Sequence, residues 1–131
     1  MKFQYKKFAP KIIRPVIPIK VSSKGRTVNY HVLVDSGADM CLFDSQIGEL
    51  LNIQIASGEM GMVNGVTGTA QPYYKHRVTI NIGGWDREIE AGFMPDFPST
   101  QYGIVGQVGF FDFTTIKFDY SKEVVEIKLK G

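Results

Sequence analysis

Apolar and polar residues alternate along most of this chain, and a period of two suits a strand with one buried face better than any helix. Val28, Tyr30, Val32 and Val34 fall on one face of the segment 27–34. Val78, Ile80 and Ile82 repeat the pattern, as do Ile89, Ala91 and Phe93. Towards the end, Ile116, Phe118 and Tyr120 alternate, then Val125, Ile127 and Leu129. Turn formers separate these runs: Ser22–Gly25, Asn64-Gly65, Gly83-Gly84 and Asp119–Lys122. The chain reads as all-β and built of hairpins.

Two short helical segments interrupt the strands. Asp44 is placed to cap a turn or two in which Ile47, Leu50 and Leu51 share a face. A second helical turn is expected from about Gln107 to Asp112. Pro10, Pro15 and Pro18 imply an N-terminal strand that starts irregularly and lies at a sheet edge. With 131 residues, no repeat and no linker, a single domain spanning 1–131 is expected.

Charge is balanced in total but not in place. Lys2, Lys6, Lys7, Lys11, Arg14, Lys20, Lys24 and Arg26 all precede the first acidic residue, Asp35. A basic N-terminal third can attract nucleic acid, anionic lipid or an acidic substrate. The plainer reading is that lysines protect an exposed edge strand from stray pairing. No nucleic-acid signature accompanies them, so nucleic acid is not the expected partner. Cys41 is the sole cysteine, which excludes an intrachain disulfide. His31 and His76 lack partners at ligand spacing, so neither a metal nor another cofactor is expected. Neither a signal peptide nor a membrane span is visible. The expectation is a cytoplasmic protein or a domain cut from a longer chain.

The segment that carries chemistry is His31-Val32-Leu33-Val34-Asp35-Ser36-Gly37-Ala38-Asp39. An apolar strand ends abruptly in Asp-Ser-Gly, placing a carboxylate on a tight turn at the strand's mouth. The Ser36 hydroxyl can bond nearby backbone and stiffen that turn. Alone, Asp-Ser-Gly is a common turn between strands. Further along stands Ile104-Val105-Gly106, a second apolar pair ending in glycine.

Asp35-Ser36-Gly37-Ala38, the hairpin around Val63-Asn64-Gly65-Val66-Thr67-Gly68 and Ile104-Val105-Gly106 together resemble the retropepsin-like aspartic peptidases, in order and in spacing, from Pro15 to Leu129. The resemblance implies a closed β-barrel or sandwich with a flap hairpin, and a homodimer in which each chain brings one catalytic Asp, here Asp35. It implies that Ser36 grips the partner's active-site loop. It also implies that Gly37, Ala38, Asp39, Gly65, Val66 and Val105 meet a peptide or protein substrate. The chain holds one such motif, because Asp112-Phe113-Thr114 lacks the glycine. A peptidase of this kind must therefore dimerise. The arginine that in retroviral members follows the later glycine and pairs with the residue matching Asp39 is absent, for the sequence reads Gly106-Gln107-Val108. Val32, Val34, Val66, Ile104 and Val105 are candidate pocket walls. Trp85 is either exposed for a partner or folded onto the sheet. Two rivals stand beside the peptidase: a non-catalytic dimerisation or binding module on the same fold, and a nucleic-acid-binding β-domain.

Overall fold

The computed structural model describes residues 1–64, 68–97 and 102–130. Its strands are β1 (Lys2–Gln4), β2 (Lys6–Ala9), β3 (Ile12–Arg14), β4 (Val16–Ser23), β5 (Arg26–Val34), β6 (Leu42–Asp44), β7 (Glu59–Asn64), β8 (Ala70–Ile82), β9 (Trp85–Met94), β10 (Gly103–Val105), β11 (Thr114–Asp119) and β12 (Val124–Leu129). One α-helix, α1 (Ser45–Leu50), and two 3-10 turns, Ile55–Ser57 and Phe111–Phe113, complete the elements among the described residues.

Seven strands form one sheet in the order β4-β5-β10-β6-β9-β8-β7, and an added pairing of β4 with β8 closes it into a ring. Closure comes through Lys20↔Asn81, Val21↔Ile80 and Ser22↔Thr79. Both long hairpins turn on residues with positive φ, at Lys24 and Gly25 (51° and 78°) and at Gly83 and Gly84 (57° and 88°). Two such residues in a row match the right-handed twist of the flanking strands. The hairpins set the register that sends Ile17, Ile19 and Val21 inward from β4, and Tyr30, Val32 and Val34 from β5. Val78, Ile80, Ile82, Ile89, Ala91 and Phe93 are buried too, as their alternation requires. Phe43, Phe93 and Phe110 are fully enclosed, each contributing about 1.5–3 kcal/mol over an exposed ring.

A smaller sheet, β1-β12-β11, buries Val125 and Ile127. The first strand lies along β12 of its own chain, with Phe3↔Val125 in register. A two-stranded hairpin, β2-β3, carries Lys6, Lys7, Lys11 and Arg14. These cations sit on a short free-edged ribbon, as edge protection requires. The Lys6 ammonium lies 5.2 Å from the Tyr102 ring centre, and the Arg14 guanidinium 4.8 Å from that of Phe8.

Three expectations need correction. The helical turn at Gln107–Asp112 shrinks to the 3-10 turn Phe111–Phe113, because Gly109 adopts φ +100° and breaks the run. In α1 the buried residues are Ser45 and Gly48, while Leu50 is 58% exposed. Gly48 lies flat against Phe93 and Ile55, which turns Leu50 outward. Phe118 and Tyr120 do not continue the face of Ile116, being 41% and 63% exposed; the outer end of β11 runs past the core, and Tyr120 just beyond it packs edge-on with Tyr5, ring centres 6.2 Å apart. Pro18 stands where β4 pairs with β5 alone, an edge as expected, but the strand becomes internal from Lys20 to Ser22, where it pairs with β8 as well. Asp44 caps α1 as expected, accepting from the Gln46 N–H at 3.0 Å. Trp85 folds onto Phe113, ring centres 5.5 Å apart.

Candidate active site

Asp35 stands one residue beyond the end of β5. Here β10 is wedged between the strands on either side of the Asp35 loop, parallel to β5 (Val105↔Val34) and antiparallel to β6 (Ile104↔Leu42). The loops leaving β5 and β10 consequently run side by side. Backbone bonds stitch them together: the Asp35 N–H donates to Val105 O (3.1 Å), Gln107 N–H to Ala38 O (2.8 Å) and Val108 N–H to Asp39 O (3.0 Å). Gly106 makes the approach possible, because a Cβ there would lie 2.5 Å from Met40 O and 2.6 Å from Ala38 O.

Within the platform, Asp35 is half-buried and Ser36 and Gly37 are exposed. Asp35 Oδ1 accepts the Gly37 N–H at 2.9 Å, and Asp35 O accepts the Ala38 N–H at 3.2 Å. The turn therefore folds back onto the carboxylate and restricts its orientation. Among the described residues Asp35 makes no ion pair. The Gly37 N–H bond to Oδ1 is that of an Asx-turn, in which an Asp side chain accepts from the backbone two residues on.

Residues 17–108 match the family model for aspartyl protease. The chain belongs to the aspartyl protease family. Among solved structures it is similar to EIAV protease complexed with the inhibitor HBY-793, with a TM-score of 0.55 and 20% identity over 78% of this chain and 88% of that one. That likeness establishes the retropepsin-like fold. No match is found among curated proteins.

The aspartyl protease platform brings Asp35, Ser36, Gly37 and Ala38 together with Gly106 and Gln107, and it departs from the expected pattern at three places. Val105 and Val32 are fully buried and Val34 nearly so, so none of the three lines an open wall; β10 is wedged between two strands and its alternation points Val105 into the core. Ile104 is half-exposed. Asp39 is exposed and makes no ion pair among the described residues; its carbonyl is taken by Val108. Gln107, at the position of the missing arginine, turns its side chain to the loop instead and donates from Nε2 to Ser36 O at 2.9 Å. Sequence reasoning noted the arginine's absence and missed this use of the glutamine; an amide donor following the second glycine was the available signal.

The proposed hairpin tip, Gly65 and Val66, lies outside the described residues. Its arms are the antiparallel pair β7 and β8, in register from Glu59↔Lys75 to Asn64↔Ala70. Met60 and Met62 are exposed on β7. The Tyr73 ring lies where Gly61 and Gly92 lack a Cβ, and the same spot at Gly92 is approached by Leu42 and Met40. The base of the hairpin thus packs against the arm that leaves the Asp35 loop.

Cys41 follows the loop and is fully buried, its Sγ 3.6 Å from Val108 O. Burial pushes its thiol up to about 11. Because the thiolate is the nucleophile, Cys41 is expected to resist iodoacetamide at pH 8 in the folded protein and to react rapidly in denaturant. Mass spectrometry of the alkylated protein checks this; fast labelling without denaturant would contradict the packing of the two loops. His31 is exposed, and His76 holds Ile55 O through Nε2 at 2.8 Å. Neither is placed for chemistry at Asp35.

Proposed function

We propose that two copies of this chain form a homodimeric aspartic endopeptidase in which the two Asp35 carboxylates act on a shared water. The observation that carries the reading is the state of Asp35 itself. It is half-buried on a stitched platform, bonded through Oδ1 alone among the described residues, and uncompensated by any cation there. Oδ2 is left for a proton and a partner.

One such group per chain calls for a two-fold pair, the commonest closed arrangement. Two adjacent carboxylates do not both ionise easily, so the pair holds one proton between them. The ionised member takes a proton from the water while the water oxygen attacks the peptide carbonyl. The protonated member gives its proton to the carbonyl oxygen. Collapse of this tetrahedral diol breaks the C–N bond, the leaving amine takes a proton, and the pair returns to sharing one. Ser36 grips the partner loop, Gly37, Ala38 and Asp39 face substrate backbone, and the hairpin carrying Gly65 and Val66 closes over an extended peptide in β fashion.

The test is digestion of a diverse peptide library from acidic to neutral pH, read by mass spectrometry, on protein whose association is followed by sedimentation. Discrete cleavage products from a dimer support the reading. A folded, confirmed dimer that cuts nothing would move it to the non-catalytic binding module. Cleavage by a species that sediments only as monomer would remove the paired-carboxylate mechanism.

A further inference from the structure

The peptide unit joining Ser36 to Gly37 is held at both edges. Its N–H donates to Asp35 Oδ1 at 2.9 Å, and its carbonyl accepts from Gln107 Nε2 at 2.9 Å. A trans peptide is planar, with C=O and N–H on opposite edges. Anchoring the oxygen therefore sets the direction in which the N–H points. Gln107 is itself anchored, since its own N–H donates to Ala38 O and Gly106 brings its backbone against the loop. One residue thus bonds two carbonyls of the turn that follows Asp35.

We infer that Gln107 is a positioning residue for Asp35, acting through the Ser36–Gly37 peptide to aim the Gly37 N–H at one carboxylate oxygen and keep the other free. The inference rests on the peptidase reading of Asp35 for its catalytic consequence. A neutral amide suits the task. It donates at every working pH, and unlike a guanidinium it adds no cation that would favour ionising both carboxylates of a pair. Because Gln107 is exposed, its bond adds little to folding, so the clamp is separable from stability.

Three variants test it. Gln107→Leu removes the donor and is expected to lower kcat by roughly tenfold to a hundredfold, the scale of a small misplacement of a reacting group, with KM little changed and the melting temperature preserved. Gln107→Asn keeps a donor one methylene short and is expected to fall between Leu and wild type. Gln107→Glu can donate only while its carboxyl is protonated. Its activity relative to wild type is expected to recover in acid and to fall as pH rises past the ordinary glutamate range, about 4.3. Asp35 and Asp39 on the facing loop and Asp112 on its own are the acidic residues of the two stitched segments, and any that approach the introduced carboxyl move that crossover upward.

In parallel, hydrogen exchange of the Gly37 amide by NMR is expected to accelerate in Gln107→Leu. Unchanged kcat together with unchanged Gly37 protection would overturn the inference, as would a pH-independent Gln107→Glu ratio. In a wild type that cleaves no peptide it is the peptidase reading that fails. The amide readout then decides alone whether Gln107 aims the Gly37 N–H.

Discussion

Asp35→Asn is expected to reduce peptide hydrolysis by roughly 10²–10⁴-fold, the usual worth of general acid–base chemistry, while leaving the fold and the proposed dimer in place. Asparagine has the shape of aspartate, and the one side-chain bond Asp35 makes among the described residues is the Gly37 N–H to Oδ1. A carboxamide oxygen accepts that bond equally well, so the turn persists. The amide has no proton to share and cannot take one from water. Mixing supplies a sharper readout. If two chains form each site and exchange freely, equal amounts of wild type and variant leave about a quarter of the dimers fully wild type, and activity per wild-type chain drops by about half. Activity that instead scales linearly with wild-type chain would show that each chain works alone. Cleavage retained by the pure variant would falsify Asp35 as the catalyst.

The strands and the motif were legible because each depends on neighbours in sequence. Val28, Tyr30, Val32 and Val34 announce β5 through local alternation, and Asp44 announces α1 through a cap that reaches only to Gln46. The Lys24-Gly25 and Gly83-Gly84 turns declare themselves by residue type. What stayed hidden depends on partners far along the chain. A period of two shows which face of β4 is buried, but nothing in Lys20–Ser22 names Thr79–Asn81 as the segment that closes the ring. Likewise Ile104-Val105 reads as a strand, while its insertion between β5 and β6 is a property of three segments together. That insertion buries Val105 and overturns its assignment to a pocket wall. Phe118 misleads for a related reason: alternation predicts a shared face, yet the core ends before the strand does. Gln107 was read through what it replaced, since its bond to Ser36 O becomes visible only when both loops are in place.

Gly106→Ala is expected to cost the site more than it costs the fold, and comparison with Gly25→Ala separates the two physical roles of glycine in this chain. At Gly25 the difficulty is conformation. Its φ is +78°, and an added Cβ would meet nothing within 4 Å, so alanine suffers only the left-handed strain of about 1 kcal/mol. At Gly106 the backbone lies outside the positive-φ set and the difficulty is space. The new Cβ would lie 2.5 Å from Met40 O, 2.6 Å from Ala38 O and 2.9 Å from Met40 C. All three obstacles are backbone, so no rotamer change relieves them and the two loops must part. Overpacking of this kind costs about 1–3 kcal/mol, and the upper end applies because neither side can yield alone. A fall in melting temperature of about 10 °C is the corresponding scale for a domain of this size. Parting the loops also stretches the bonds from Asp35 N–H to Val105 O and from Gln107 N–H to Ala38 O, which hold the carboxylate in place. Activity should therefore collapse in Gly106→Ala even at temperatures where the variant remains folded, whereas Gly25→Ala should keep full activity per folded molecule. Thermal denaturation beside peptide cleavage at 25 °C measures both quantities. A Gly106→Ala protein with wild-type activity would mean that the spacing of the two loops does not govern Asp35, and the platform described above would lose its claim on the chemistry.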